Sequence, residues 1–522
     1  MSADGDVVMR ISKSRDRMVR IGVGGACVAV ALGMLVGCNV GPKYVPPAKT
    51  APAAYKELPA NFKENGEWTV AQPQDAVLRG KWWEIFNEPD LNTLEEQLNV
   101  DNQNIRESFE NYMEARALVR EARSQLFPTV TLGPSYTRSQ SSSTLGSGSA
   151  ASTTTGQSGA QSQVFSLPGE VSWEPDLWGK VRNAIKSSQY SAQVTAADLA
   201  NERLSEQASL AEYFFEIRGQ DALQSILDQI VEVDKHGVEV EQARYDTGVD
   251  DEISLVNTQI TLKSAQAAAT NLKIARAQYE HAIAMLVGKP ASDFSIPGLA
   301  KTAAPPPIPV GLPSQLLERR PDVAAAERTM ASANAQIGIA YAAYYPTLTL
   351  SASGGVESSA LKNLFDAASR FWSAGPSLSE TVYDGGLRRA TVNQYIATYN
   401  ADLAAYRQSV LTAFQQVEDA LAEVRVLSLQ IAQQQSVIDS SQKALEIEKG
   451  RYEDGIDPFT DVVTAQASLL NNKESLASLQ VQQMTAAVGL VQALGGGWDT
   501  TQLPTPAQVT EKPSAAETTI QH

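Results

Sequence analysis

Acidic side chains are concentrated in two short segments of the chain that lie about 200 residues apart. They are Asp246, Asp250, Asp251 and Glu252 in the first segment, and Glu453, Asp454, Asp457 and Asp461 in the second. Each segment contains a glycine, Gly248 or Gly455, which gives the backbone the freedom that a tight turn between helices needs. Carboxylates gathered in this way attract cations. The segments are therefore either ion-attracting sites or solvated helix turns.

A second chemically informative group lies at the N-terminus, where five basic residues precede an apolar run, 21–37. The basic residues are Arg10, Lys13, Arg15, Arg17 and Arg20. This is the pattern of a secretory signal peptide. The run ends in Leu35-Val36-Gly37-Cys38, which resembles a bacterial lipobox, in which the chain is cut before a cysteine that carries lipid. The alternative is an uncleaved membrane anchor that ends in an incidental cysteine.

Asn39 follows that cysteine at the position where aspartate is the usual signal for retention at the inner membrane. Two or three acyl chains on Cys38 would anchor the protein stably. We therefore expect a lipid anchor in the outer membrane and a chain that extends into the periplasm.

The composition excludes several classes of function. The chain of 522 residues has a formal net charge of −17, which argues against nucleic acid as a partner because phosphate binding needs a basic face. Three histidines and two cysteines cannot assemble a His/Cys metal site, so we assign no metal ligands. The sequence also lacks a phosphate-binding glycine loop and a Gly-x-Ser-x-Gly elbow. We expect no enzymatic activity, and no cofactor apart from the covalent lipid on Cys38.

The chain contains two copies of one long unit. The sequence Arg-Tyr-Asp-Thr-Gly-Val-Asp at 244–250 recurs as Arg-Tyr-Glu-Asp-Gly-Ile-Asp at 451–457, an offset of 207 residues. A second repeated motif, at 127–132 and 345–350, has an offset of 218 residues, so the first copy holds 11 extra residues. The Ser/Thr/Gly-rich run 140–161 lies in this interval and is predicted to form a surface loop.

The repeat divides the chain into six segments. They are a signal peptide (1–37), a lipidated tether with an equatorial segment (38–89), a first repeat (90–288), a proline-rich linker (289–311), a second repeat (312–495) and a flexible C-terminal tail (496–522).

Each repeat is predicted to contain a helix, two strands around a loop, a very long helix, a tight turn and a returning helix. The long helices are predicted over 179–247 and 386–454, which contain no proline and carry apolar residues at coiled-coil spacing. Ordinary bundle packing would give the same stripes, but a compact domain rarely has helices of this length. Two shorter helices, about 90–126 and 250–287, could stack end to end along the first long helix.

The predicted strands have one apolar face and one small or polar face. In 165–173, Phe165, Leu167, Val171 and Trp173 alternate with serine, proline and glutamate. This alternation is the weak signature of an outer-membrane strand, although a half-buried soluble strand has it too. Four such strands cannot close a barrel, because about eight is the smallest usual number. If they cross a membrane, the barrel must be shared between chains.

The sequence resembles the outer-membrane efflux channels of TolC type, and specifically their NodT-like lipoprotein branch, from Cys38 to about Trp498. The motifs that carry the resemblance are Gly-Pro-Lys-Tyr at 41–44, Trp-Trp-Glu-Ile-Phe at 82–86, Leu-Pro-Ser-Gln-Leu-Leu-Glu-Arg-Arg-Pro-Asp-Val at 312–323, Asp-Leu-Trp-Gly at 176–179 with Tyr-Asp-Gly-Gly at 383–386, and the two Arg-Tyr-x-x-Gly turns.

The resemblance implies a mainly α fold with a β-barrel. Three protomers would share one transmembrane β-barrel, to which each gives four strands, and their long helices would form a hollow α-barrel in the periplasm. The implied partners are two further copies of the chain, the outer-membrane lipid, a periplasmic adaptor protein and an inner-membrane transporter of the RND type, which supplies the energy.

The resemblance also assigns roles to residues at the two turns, where three protomers would bring acidic side chains into rings at the periplasmic aperture. The residues concerned are Tyr245, Asp250, Asp251, Arg451, Tyr452, Asp457, Asp461 and Thr464, with Gly248 and Gly455 in the turns. In the family a tyrosine and nearby acids lock this aperture, and Tyr452 and Asp461 match that pattern. Thr464 stands where aspartate is common and Asp457 where some members carry arginine, so the lock differs in detail. Arg244 and Arg451 are the candidate pairing partners for the acids.

We therefore interpret the chain as a passive channel subunit of a tripartite efflux pump for small solutes. One alternative keeps the fold but makes the channel an export duct for secreted polypeptides. The other is a periplasmic coiled-coil scaffold lipoprotein without a pore. The sequence does not identify the transported solute.

Overall fold

The computed structural model describes residues 39–47, 51–52, 54–57, 80–140, 161–249, 251–300, 304–308 and 318–512. The predictions for the signal peptide, for Cys38, for Asp250 and for most of the 140–161 loop lie outside these residues.

Helices form most of the described chain. They are α1 (Pro89–Asp101), α2 (Gln103–Ser124), α3 (Lys180–Asp246), α4 (Glu252–Leu286), α5 (Pro321–Ala342), α6 (Leu387–Glu453), α7 (Phe459–Ala493) and α8 (Pro506–Thr510). The two longest, α3 and α6, have 67 residues each, which at 1.5 Å per residue is about 100 Å. Both begin within one residue of the prediction, directly after a glycine with positive φ, Gly179 or Gly386. Among the described residues, no helix combines the length and the apolar character needed to cross a membrane.

The shorter helices of the first repeat stack end to end along α3, as predicted. The side chain of Asn102 makes this joint: its Nδ2 donates to the carbonyl of Leu286 at 3.0 Å, and its Oδ1 accepts from the backbone N–H of Ile105. Gly288, with φ +70°, follows α4 and lies against the end of α1. A Cβ on this glycine would lie 2.6 Å from the carbonyl oxygen of Asp101. The predicted single helix over 90–126 is therefore two helices, because Asn102 ends α1 and caps α2.

The second repeat has the same joint, between α7 and α5. Gly495 is the counterpart of Gly288 and has φ +95°, and a Cβ there would lie 2.1 Å from the carbonyl oxygen of Arg319. Arg320 fastens the joint by donating from Nη1 to the carbonyl of Ala493 at 3.0 Å. The duplication seen in the sequence is thus also a duplication of local geometry.

A close contact between α3 and α7 joins the two repeats near the middle of the molecule. Gly219 of α3 lies directly against Val481 of α7, and a Cβ on that glycine would come within 2.2 Å of the valine Cγ2. The largest buried cluster of the described residues lies near this contact and includes Trp82, Phe214 and Ile217. Burial of these large side chains holds the long helices side by side.

The strands are β1 (Thr129–Leu132), β2 (Ser135–Gln140), β3 (Gln161–Trp173), β4 (Thr347–Ser358) and β5 (Arg370–Ser379). β1 and β2 pair with successive parts of β3, which pairs with β4, which pairs with β5, all antiparallel. The break between β1 and β2 falls at Gly133-Pro134, where proline cannot donate to a ladder. The sheet therefore consists of the four predicted strands, one of them interrupted.

One face of this sheet is apolar over the part nearest the helices, and it carries Arg138, Gln163 and Arg370 towards the loops. Val130 lies opposite Val171, Trp173 opposite Leu350, and Leu348 opposite Leu378, and directly opposed residues share a face. Serine, threonine and glutamate occupy the other face, as in the pairs Ser166–Glu357 and Glu170–Ser353. The predicted alternation is confirmed. Residues 359–369, the counterpart of the inserted loop, contain the short 3₁₀ turns Leu361–Asn363 and Ala367–Ser369.

Segments outside the repeats pack across the middle of the helices. The backbone N–H groups of Lys56 and Glu57 donate to the carboxylate of Glu418 on α6, at 2.8 and 2.9 Å. Val509 of α8 is fully buried against α2 and α3. The expectation of a flexible tail from residue 496 is therefore wrong for residues 500–510, because this buried valine docks the short helix.

Candidate functional site

The two turns that contain the predicted site residues have the same backbone. In the first, the N–H groups of Gly248 and Val249 donate to the carbonyls of Tyr245 and Arg244, both at 2.9 Å. In the second, Gly455 and Ile456 make the equivalent bonds to Tyr452 and Arg451, at 2.9 and 2.8 Å. Gly248 and Gly455 have φ of 73° and 70°, a conformation in which other residues are strained. Both glycines therefore have the role that the sequence predicted for them.

Arg451 and Asp457 form a two-pronged ion pair inside the second turn. Nη2 of the arginine donates to Oδ1 of the aspartate at 3.0 Å, and Nε donates to the other carboxylate oxygen. These hydrogen bonds from Arg451 lower the pKa of Asp457 below its ordinary value and raise the pKa of the arginine. The guanidinium thus pairs with an acid of its own turn. This ion pair connects the end of α6 to the start of α7.

Two further carboxylates join this ion pair. Oxygen atoms of Glu448, Asp457 and Asp461 all lie within 4.8 Å of one another. One guanidinium faces three carboxylates, so the cluster has a net charge of −2 when all are ionised. An excess of negative charge at a turn attracts cations.

Aromatic rings connect the second turn to the first repeat. Tyr452, 41% exposed, lies 5.2 Å from the ring of Phe459, and Phe459 lies 5.8 Å, edge to face, from His236 on α3. Sequence reasoning missed Phe459 and His236. A comparison of the two repeats could have found Phe459, because this aromatic residue stands where the first repeat has the charged residue Glu252.

The other predicted residues that the structure describes do not join the cluster. Asp251 caps α4, since its Oδ1 accepts from the N–H and the hydroxyl of Ser254, both at 3.0 Å. Thr464 donates its hydroxyl to the carbonyl of Thr460 at 2.8 Å, inside α7. Tyr245 is 41% exposed beside the first turn. Nε of Arg244 lies 3.8 Å from the carboxylate of Glu241. Of the predicted residues, the structure therefore brings together Arg451, Asp457 and Asp461, with Tyr452 beside them.

Several motifs that carried the resemblance prove to be structural. Arg320 donates from Nε and Nη2 to the carboxylate of Asp322 while also holding the joint to α7. At the start of α3, Nε of Arg182 donates to the carboxylate of Asp176 at 3.0 Å, and Nη2 donates to the backbone carbonyl of the same residue at 3.3 Å. These residues order the junctions between elements rather than a reaction centre.

Comparison with known proteins assigns this architecture. The sequence profile of the family described as "Outer membrane efflux protein" matches residues 94–289 and 312–496, which are the two repeats. The chain is 28% identical to the solvent efflux pump outer membrane protein SrpC of Pseudomonas putida, over 90% of this chain and 98% of SrpC. It is 26% identical to the antibiotic efflux pump outer membrane protein ArpC of the same species, over 90% of this chain and 95% of ArpC.

A solved structure shows the same fold. The outer-membrane channel OprN superposes with a TM-score of 0.76 at 28% identity, over 88% of this chain and all of that one. With both repeats matched by the family profile, the chain belongs to the outer membrane efflux protein family.

Proposed function

We propose that three copies of this chain form one passive exit duct of a tripartite efflux pump. The observation that carries the proposal is the sheet. Its two outer strands, β1–β2 and β5, have no further strand beside them in the described chain, and its apolar face is open: Trp372 is 83% and Leu378 69% exposed. An open sheet edge cannot lie in lipid, so other copies must cover both edges. Three copies supply twelve strands, enough to close a barrel.

The strands have the length that this role requires. β3, β4 and β5 contain 13, 12 and 10 residues, and about 9–11 residues of a tilted strand span a bilayer. The apolar face would meet the lipid, and the serine- and threonine-rich face would line the water-filled interior.

The long helices would continue this barrel as a tube into the periplasm, closed at the far end by the two turns. A trimer would hold three copies of the cluster around Arg451, which makes the mouth acidic. The names of the relatives, outer membrane proteins of efflux pumps, support a periplasmic adaptor and an inner-membrane transporter as partners. We propose the RND type for that transporter. Cys38 would carry the lipid that anchors the chain at the outer membrane.

The cargo is a small solute in this proposal. The relatives are named for antibiotic and for solvent efflux, which favours small organic molecules over secreted polypeptides. A non-pore scaffold would not need a sheet with an exposed apolar band on one face.

Deletion of the gene and complementation test the proposal. The deletion should raise susceptibility to antibiotics or solvents and leave protein secretion unchanged, and the native chain should restore resistance. Gly355→Ala should fail to restore it, since the new Cβ would lie 2.3 Å from the carbonyl oxygen of Leu167 on the paired strand. Gly375→Ala is the matched control, because nothing of the same chain lies within 4 Å of its Cβ position. Loss of protein secretion without any change in susceptibility would favour the polypeptide duct.

A further inference from the structure

A cavity of about 490 Å³, lined by polar and apolar side chains, lies between α3, α4 and α7, close to the turns but separate from the cluster around Arg451. Residues of both repeats line it. The ones that matter are Asp234 and Glu241 of α3, Thr258 and Thr261 of α4, and Thr464 of α7.

The buried face of α3 changes from apolar to acidic where it reaches the cavity. Leu227 and Ile230 are buried between the helices, but this face then continues with Asp234, Gly237 and Glu241 at helix-face spacing. The second repeat has Ser441 and Ala444 where the first has this aspartate and glycine. The aspartate is therefore a property of the first repeat alone, whereas Glu241 has an acidic counterpart, Glu448, in the second repeat.

Asp234 is buried without compensation. It is 1% exposed, and neither carboxylate oxygen accepts a hydrogen bond from any described residue. Burial raises the pKa of this carboxyl, as expected for a charge removed from water. Glu241, 2% exposed, faces Arg244 at the other end of the cavity, with Nε and Oε2 3.8 Å apart. An isolated buried carboxylate is costly, so a positive group is needed beside Asp234 if it is ionised.

The neighbouring threonine hydroxyls do not compensate the charge of Asp234 by donating hydrogen bonds to it. Thr258, Thr261 and Thr464 donate their hydroxyl hydrogens to backbone carbonyls in their own helices, at 2.8, 3.2 and 2.8 Å. A hydroxyl whose hydrogen is used in this way offers only oxygen lone pairs to its surroundings. The amide groups of Asn257 and Asn471 lie at exposed positions on the rim. Asn472, which also lines the cavity, donates from Nδ2 to the hydroxyl of Ser441 at 2.9 Å. No described donor therefore reaches the carboxylate of Asp234.

We propose that this cavity binds a hydrated divalent cation of the Mg²⁺ class, held by the carboxylate of Asp234 and, through water, by the threonine oxygens and Glu241. Carboxylate, hydroxyl and amide oxygens are the ligands that such hard cations prefer, and Mg²⁺ characteristically keeps several of its waters. Seven residues of helix separate the two acids by about 10 Å, so water must bridge to the more distant one. A volume of about 490 Å³ accommodates an ion with its hydration shell.

Because the lining comes from both repeats, the ion would link the α3–α4 hairpin to the start of α7. That link lies beside the contact of His236 with Phe459. The site therefore stabilises the end of the helical bundle independently of what the channel transports.

Mn²⁺ tests the site, since it shares the oxygen preference of Mg²⁺ and its free form has a strong electron paramagnetic resonance signal. The full-length protein, purified in detergent, should bind Mn²⁺ that excess Mg²⁺ displaces. Asp234→Ser, which installs the residue of the second repeat, should lose one bound Mn²⁺ per chain, and so should the isosteric Asp234→Asn. Glu232→Gln, an exposed acid of the same helix, is the control and should bind as the native protein does.

A second readout is the melting temperature in the presence of a chelator. Chelation should lower it in the native protein and in Glu232→Gln, but not in Asp234→Asn. Native and Asp234→Asn proteins that bind equal amounts of Mn²⁺ would overturn the proposal, and so would a native protein that binds none. In the latter case Asp234 is a protonated group in a water-filled cavity.

Discussion

The cluster at the second turn offers two substitutions that remove the same charge but affect the turn differently. Asp461→Asn removes one negative charge and leaves the ion pair of Arg451 with Asp457 in place. Asp457→Asn removes one negative charge and breaks that pair. In a trimer, each substitution removes three charges from the mouth.

The charge count and the salt concentration determine the expected size of the effect. For an ion at one Debye length from the ring, about 10 Å in 0.1 M salt, three fewer charges in water change the cation-to-anion permeability ratio by roughly fivefold. In 1 M salt the Debye length is about 3 Å, and the same calculation gives a change of only about 1.2-fold. Both variants should therefore lose cation preference at low salt and differ little from the native channel at high salt.

Reversal potentials across planar bilayers in a KCl gradient measure this ratio. Single-channel conductance should separate the variants, because only Asp457→Asn breaks the ion pair between α6 and α7 and lets the mouth widen. The double change Asp457→Ala with Asp461→Ala should combine both effects, and Glu174→Gln, at the base of the sheet, is the control. Unchanged selectivity in both single variants at 0.1 M salt would refute the reasoning and leave these acids as solvated turn residues. Equal conductance would show that the ion pair does not shape the mouth.

Three further predictions concern the anchor, the surface loop and a buried acid. Cys38→Ser should lose its lipid, measured by mass spectrometry, yet still need detergent, because the strands make the protein integral; a soluble product would contradict this. A tag near Gly148 should be labelled on intact cells, and labelling only after the outer membrane is permeabilised would refute the loop assignment. Burial raises the pKa of Glu95 well above its ordinary value, and no described residue donates to its carboxylate. Stability is then lost as pH rises above the ordinary pKa of about 4.5, so Glu95→Gln should raise the melting temperature, and more at pH 8 than at pH 5. An equal gain at both pH values would contradict this.

The helices and strands were predictable from the sequence because the spacing of apolar residues identifies each element, and the second repeat shows the same pattern again. The long helices begin and end within one residue of the predicted bounds, because each is a proline-free stretch with a glycine close to both ends. The alternation in 165–173 was enough to assign the faces of the sheet. The break at Asn102 was missed because a capping asparagine looks like any other polar residue until its partner, Leu286 from another part of the chain, is known.

The candidate site was only partly predictable. The composition of the turns identified Arg451, Asp457 and Asp461 but missed Glu448, and which acid the arginine pairs with depends on side-chain geometry. The cavity at Asp234 could not be predicted, since a polar residue on a helix normally indicates a solvated face. Its burial arises only when α4 and α7 pack over it.

We propose that the four strands of one chain close into a barrel only when three chains meet. Native mass spectrometry of the detergent-purified protein counts the chains in each particle directly. We predict three chains per particle. A stable particle with one chain would contradict it, because both edges of the sheet would then remain open.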